Sequence, residues 1–253
     1  MGRIVVYYIQ RFKSAHMVVS RRPVDVSGSV LSLQQADVPL AGSVRYLGVT
    51  LSSSLTWSDH VRSLLQRVSC KVFTLKRLAH RSWSAEFVKR LYLGLLRPVL
   101  EYGGAVWDGC SKADALALER VQLSVGRAIL RCSRCSISNS IVLSALGWPT
   151  LCWRRKRHRL LLLWRLLRGE GPPSLRAALP LPSSARASYS LRNPLSLAFP
   201  RCSSARRLRS FLPSAVSLWN SLPSDICSSP SESLFLRSLD SHFASDRYSF
   251  GLS

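Results

Sequence analysis

The sequence predicts an α+β fold that is mostly α: short N-terminal strands, then a helical bundle, then a loop-rich C-terminal region. Three observations predict it. Apolar, often β-branched residues cluster in short runs over the first 55 positions, a helical apolar period begins at Thr56, and after Gly169 the composition shifts to Pro, Ser, Leu and Arg. With 253 residues, 47% of them hydrophobic, the chain can bury a sizeable core and is not a disordered basic tail.

The expected division is 1–55 strands, 56–169 helices and 170–253 linker and C-terminal region. Strands are predicted at Ile4–Ile9, Ala15–Val19, Val24–Leu33 and Val44–Leu51. Thr56 and Asp59 have capping-box spacing, and Val61, Leu64, Leu65, Val68, Val72 and Leu75 then share one helical face. Ser84 is placed to cap a second helix striped by Phe87, Val88, Leu91, Tyr92 and Leu95, which Pro98 should kink or stop. A third helix near 113–131 buries Leu118, Val121, Val125 and Ala128 or Ile129, and displays Arg120, Arg127 and Arg131 on its other face. A short helix at 138–146 should end at Gly147-Trp148-Pro149, and a fifth, 151–168, carries Arg154-Arg155-Lys156-Arg157-His158-Arg159 before Leu160, Leu163 and Leu167. Beyond Gly169, Pro172-Pro173, Pro180 and Pro182 discourage helix, and order is expected to return at 211–222 and 234–243.

Charge narrows the function classes. Lys plus Arg number 36 against 13 acids, a net charge of +23, which favours a polyanionic partner such as nucleic acid. From Arg120 to Ser224 there are 18 cations and one acid, Glu170. Arg154, Arg157, Arg165 and Arg168 form a second helical stripe beside Arg120, Arg127 and Arg131, so two helices could track a phosphate backbone. An ordinary solvated face is the alternative, and the lack of alternating acids favours binding. Arg outnumbers Lys 30 to 6; this suits bidentate phosphate contacts, though a GC-rich coding sequence would give the same bias, and both readings stay open.

Catalytic chemistry finds little support. Two-metal nucleotide transfer needs paired carboxylates, and no two acids are adjacent anywhere in the chain. Cys132 and Cys135 have the spacing of half a zinc site, with Cys152 and His158 the nearest further ligands, but the separations fit no standard finger, and neither metal nor cofactor is assigned. Seven cysteines without a secretory signal point to an intracellular setting, nuclear or cytoplasmic. The longest apolar cluster, 160–167, is interrupted by Arg165, so no membrane partner is expected. Among Trp57, Trp107, Trp148, Trp153, Trp164 and Trp219, most read as core, with Trp153 beside Arg154 as the candidate for base stacking.

Several motifs in order resemble one family. Arg45-Tyr46-Leu47-Gly48, Leu95-Leu96-Arg97-Pro98-Val99-Leu100-Glu101-Tyr102, Leu118-Glu119-Arg120-Val121-Gln122, Leu146-Gly147-Trp148-Pro149 and Leu218-Trp219-Asn220-Ser221-Leu222-Pro223 are similar to the stretch that follows the catalytic core of LINE-type (non-LTR) retrotransposon reverse transcriptases. The resemblance implies the end of the palm, a helical thumb-like domain and a C-terminal region, with the catalytic aspartates upstream. By the same resemblance Lys13 would lie near the incoming nucleotide, and Arg45 and Gly48 would belong to the hairpin that grips the primer end. Magnesium would serve the intact family enzyme, and no cofactor is expected in this chain. The expected partners are RNA or an RNA/DNA hybrid and the missing upstream polymerase domains. The rival readings are a freestanding basic nucleic-acid-binding or scaffold protein and a non-functional element remnant.

Overall fold

The computed structural model describes residues 4–8, 14–20, 31–33, 36–81, 83–133, 137–181 and 195–249. They fall into two compact units, Met1–Ser69 and Cys70–Ser253, and helices dominate, as the sequence predicts.

In the first unit three antiparallel hairpins follow one another. β1 (Ile4–Tyr8) pairs with β2 (Ala15–Val19), β3 (Leu31–Leu33) with β4 (Ala36–Val38), and β5 (Ser43–Tyr46) with β6 (Val49–Ser52). His16 ties the first two hairpins together: its N–H donates to Pro39 O and its carbonyl accepts from the Ala41 N–H, while Nδ1 lies 2.9 Å from Val38 O. The first two predicted strands are present. Of the predicted strand 24–33, residues 24–30 lie outside the described residues, and the end of it forms β3.

The single strand expected over Val44–Leu51 is instead a hairpin. Tyr46 pairs with Val49 across a two-residue loop in which Leu47 and Gly48 both have positive φ, 45° and 83°. That conformation matches the right-handed twist of the flanking strands; residue propensity alone reads the segment as one strand, whereas the family resemblance implies a hairpin around Arg45 and Gly48.

The long helix α1 (Ser58–His80) follows. Its first turn is not the expected capping box: the Thr56 hydroxyl shares a hydrogen bond with Ser54, the Trp57 carbonyl accepts the first helical bond from Val61 N–H, and Asp59 pairs with Arg62. The helix starts one residue too late for Thr56 to cap it. Val61, Leu64, Val68 and Leu75 are buried, as the periodicity predicts. His60 is also buried, and its Nδ1 accepts the Thr50 N–H at 3.1 Å.

The second unit begins within α1. Ser84 caps α2 (Ala85–Leu91) by accepting the Phe87 N–H. The predicted disturbance at Pro98 takes the form of a π-turn over Tyr92–Leu96 leading into α3 (Arg97–Glu101), with Pro98 in the first turn of α3. Proline lacks an N–H and crowds the carbonyl four residues earlier, so the wider turn accommodates it without breaking the rod. After α4 (Gly104–Trp107), α5 (Lys112–Ile129) is capped by Ser111 and buries Leu118, Leu123, Val125 and Ile129.

The next helix, α6 (Asn139–Leu146), ends as predicted. Gly147 takes φ 65°, the Trp148 N–H returns to the Leu143 carbonyl, and Pro149 prevents continuation. Trp148 then stacks on Tyr92 at 4.0 Å, and the Tyr92 hydroxyl donates to Gln122 Oε1, whose Nε2 donates to Pro149 O. This polar chain fastens the π-turn, α5 and the Gly147-Trp148-Pro149 corner to one another.

Thr150 caps α7 (Leu151–Leu167). Although Pro172-Pro173, Pro180 and Pro182 are expected to discourage helix, a short helix α8 (Pro173–Ala177) forms with Pro173 in its first turn, a position where no N–H is required. After α9 (Ala205–Leu208), α10 (Phe211–Asn220), α11 (Ser224–Cys227) and α12 (Glu232–His242) return to α7. Leu160, Leu163 and Trp164 share a core with Leu197, Val216, Trp219, Leu222, Phe235 and Leu239. The segments where order was expected to return therefore complete the core of α7. The last turn, Asp246–Tyr248, lends the Arg247 carbonyl to the Thr150 N–H.

Candidate nucleic-acid interface

The cations singled out by the sequence occupy three different environments. Lys13 lies outside the described residues. Arg45 is exposed on β5, Gly48 forms the tip of that hairpin, and Tyr46 and Leu47 beside them are exposed.

The run on α7 is largely occupied by carboxylates brought from elsewhere in the chain. Arg154 forks onto Glu101, and Arg157 onto Asp240 at 3.0 and 3.2 Å. Arg165 meets Glu232 at 2.7 Å. The Arg155 side chain is 3% exposed and donates to Asp108 at 2.8 Å, and Arg159 reaches the same carboxylate. Arg168 donates to the Ser229 carbonyl and lies 4.2 Å over the Trp164 ring. Lys156 is half-buried, with no carboxylate partner among the described residues. To grip phosphates, Arg154, Arg155, Arg157 and Arg165 would have to surrender these partners. The acid-poor stretch in the sequence is thus not acid-poor in space.

A buried acid completes the start of α7. Glu119 accepts the Cys152 N–H at 2.7 Å, where the positive end of the helix favours an anion, while burial raises its pKa. The Trp153 ring, the candidate for base stacking, is 4% exposed and packs on Phe243 at 4.9 Å, so it belongs to the core. Trp107, Trp148, Trp164 and Trp219 are buried as expected. Trp83 is exposed and stacks on Phe87 at 4.9 Å; it stands before the Ser84 cap and belongs to no apolar period.

The α5 stripe and the end of α1 are different. Arg120 and Arg131 are exposed, and among the described residues neither has an acidic partner, nor do Lys76 and Arg77 on α1. Arg127 is half-buried, its Nη2 donating to the Ile137 carbonyl at 3.1 Å and to Asn139 Oδ1 at 2.8 Å. Lys76, His80, Ser124, Arg127, Arg131 and Cys132 surround a cleft of about 630 Å³. The basic end of α1 has no long run of cations in the sequence that marks it: Lys76 and His80 lie one helical turn apart and meet only on the helix face.

Cys135 lies outside the described residues, and among those described no three His, Cys, Asp or Glu groups converge on a metal site. No described helix is long and apolar enough to cross a membrane.

With this geometry in place, comparison with known proteins gives a consistent answer. The chain is 32% identical over 115 residues to the 115 kDa protein in type-1 retrotransposable element R1DM of Drosophila melanogaster, covering 44% of this chain and 11% of that protein. It is 27% identical over 124 residues to the retrovirus-related Pol polyprotein from type-1 retrotransposable element R1 3 of Nasonia vitripennis, covering 44% and 32%. Over 104 residues it is 28% identical to the Drosophila melanogaster protein described as an RNA-directed DNA polymerase from transposon X-element, covering 40% and 11%. The chain thus spans about a tenth to a third of the relatives it matches. No family profile and no solved structure matches it.

Proposed function

We propose that this chain, a relative of the Pol proteins of R1 and X-element retrotransposable elements, is a nucleic-acid-holding region of a LINE-type reverse transcriptase. Its role is to grip RNA or an RNA/DNA hybrid beside a catalytic centre that other residues supply. The observation that carries the reading is the coincidence of that kinship with cations left without carboxylate partners among the described residues: Lys76 and Arg77 on α1, Arg120 and Arg131 on α5. Such cations gain by releasing the counterions condensed on a phosphate backbone.

The hairpin of Arg45 and Gly48 supports the same reading. Its exposed tip presents Arg45 and Tyr46 beside a turn in which Gly48 allows close approach of a strand. Nucleotide transfer is not expected from this chain, since none of its 13 acids has an acidic neighbour in sequence to help hold two metal ions. Magnesium and the polymerase domains belong to the intact enzyme in this reading.

The test is fluorescence anisotropy of a labelled RNA/DNA hybrid, single-stranded RNA and duplex DNA against the purified chain at low salt. Binding to RNA or hybrid that weakens steeply as salt rises is the expected result. Absence of binding at low salt would overturn the proposal.

A further inference from the structure

We infer that the cleft between the C-terminal ends of α1 and α5 is a phosphate-binding site, with Arg127 as its fixed donor and Lys76 and Arg131 as its mobile cations. The inference rests on the nucleic-acid reading only for the source of the phosphate. The cleft's volume of about 630 Å³ is ample for a phosphodiester with its sugar, and among the described residues no carboxylate lines it.

Arg127 is the built part of the site. Two hydrogen bonds hold its Nη2 in place, to the Ile137 carbonyl and to Asn139 Oδ1. Its Nη1 is buried and has no acceptor among the described residues. An unmet buried donor on a charged group is costly, and a small turn of the guanidinium toward an acceptor oxygen arriving in the cleft would satisfy it. Guanidinium donors meet phosphate oxygens in a fork, so one half anchored to protein and the other half unmet is the arrangement expected of a preorganised phosphate contact.

Arg131 lies one helical turn further on and has φ 51°, a left-handed conformation in which the chain turns away after α5. Lys76 and His80 face the cleft from α1, one turn apart. The competing explanation is that these cations merely answer the negative ends of two helices. Each helix end is worth about half a charge, so two ends account for only about one of the three permanent cations here. The excess is positive, which favours an anion.

The experiment compares the full chain with Lys76→Gln/Arg131→Asn. Both residues are exposed, and asparagine tolerates the left-handed backbone at 131, so the fold should survive; a matching thermal melt checks this. The probes are a labelled RNA/DNA hybrid and inorganic tripolyphosphate. If the cleft holds backbone phosphate, the variant loses about tenfold in hybrid affinity, and its slope of log K against log salt becomes shallower by about 1.5. If the wild type binds hybrid and the variant binds it equally with the same slope, the cleft proposal falls while the nucleic-acid reading stands. If the wild type binds tripolyphosphate but no nucleic acid, and the variant loses it, the cleft is a site for free phosphates and the nucleic-acid reading falls. Binding of neither probe by the wild type overturns both. Arg127→Gln, which keeps a donor and an acceptor near Asn139, is the second variant and should weaken the same probe.

Discussion

Two single residues in the first unit carry costs that can be measured. Leu47 holds φ 45° at the exposed tip of the β5–β6 hairpin, a conformation costing a branched, non-glycine residue about 1–2 kcal/mol. Leu47→Asn should therefore raise stability by about 1 kcal/mol in denaturant melts. A loss of hybrid affinity in that variant would also show that the exposed leucine is kept for contact. Burial, with Arg67 and Arg45 adding to it, lowers the pKa of His60 from 6.5 to about 4. The Thr50 N–H points at Nδ1, which requires that nitrogen to be unprotonated. The unfolded chain takes up a proton near pH 6.5 and the folded one only near pH 4, so this contribution to stability is present above pH 6.5 and is lost as pH falls through that window, by at most about 3 kcal/mol. His60→Asn, which keeps an acceptor for Thr50, should flatten the pH dependence of the melting temperature between pH 6.5 and 4. An unchanged slope would place the dependence in other groups.

Among the elements, α7 shows how charge read along the sequence differs from charge in space. Its cations pair with Glu101, Asp108, Glu232 and Asp240, residues 47 to 83 positions away where hydrogen bonds set the separation. A window on the sequence cannot see such partners, so the run looked like a binding stripe. Arg155→Ala should cost about 3 kcal/mol, because it leaves Asp108, with its side chain 8% exposed, supported by Arg159 alone. The variant's thermal melt checks this, and loss of less than 1 kcal/mol would mean that the pair is worth little. Local signals were legible where a single residue decides the geometry: Ser84 as a cap, and Gly147 with Pro149 as the stop of α6. They failed where one residue of offset matters, as with Thr56, or where β-turn geometry needs positive φ at a leucine. Trp153 failed for a third reason: its burial depends on Phe243, 90 positions later, which no local period reports.

At the scale of the whole molecule, a net charge of +23 does not state which cations face a partner. The structure sorts them: those of α7 help hold the second unit together, and those at the end of α1 and along α5 have no acidic partner among the described residues. The claim that unpaired cations, and not merely abundant ones, bind nucleic acid is tested most directly by the salt dependence of RNA/DNA hybrid affinity in the wild type, Arg120→Gln and Arg165→Gln. Arg120 is exposed without an acidic partner among the described residues, whereas Arg165 is exposed but held by Glu232. The account predicts that Arg120→Gln makes the slope of log K against log salt shallower by about 0.7–0.9, the effect of one lost phosphate contact, while Arg165→Gln leaves it unchanged. A shallower slope for Arg165→Gln with none for Arg120→Gln would contradict it.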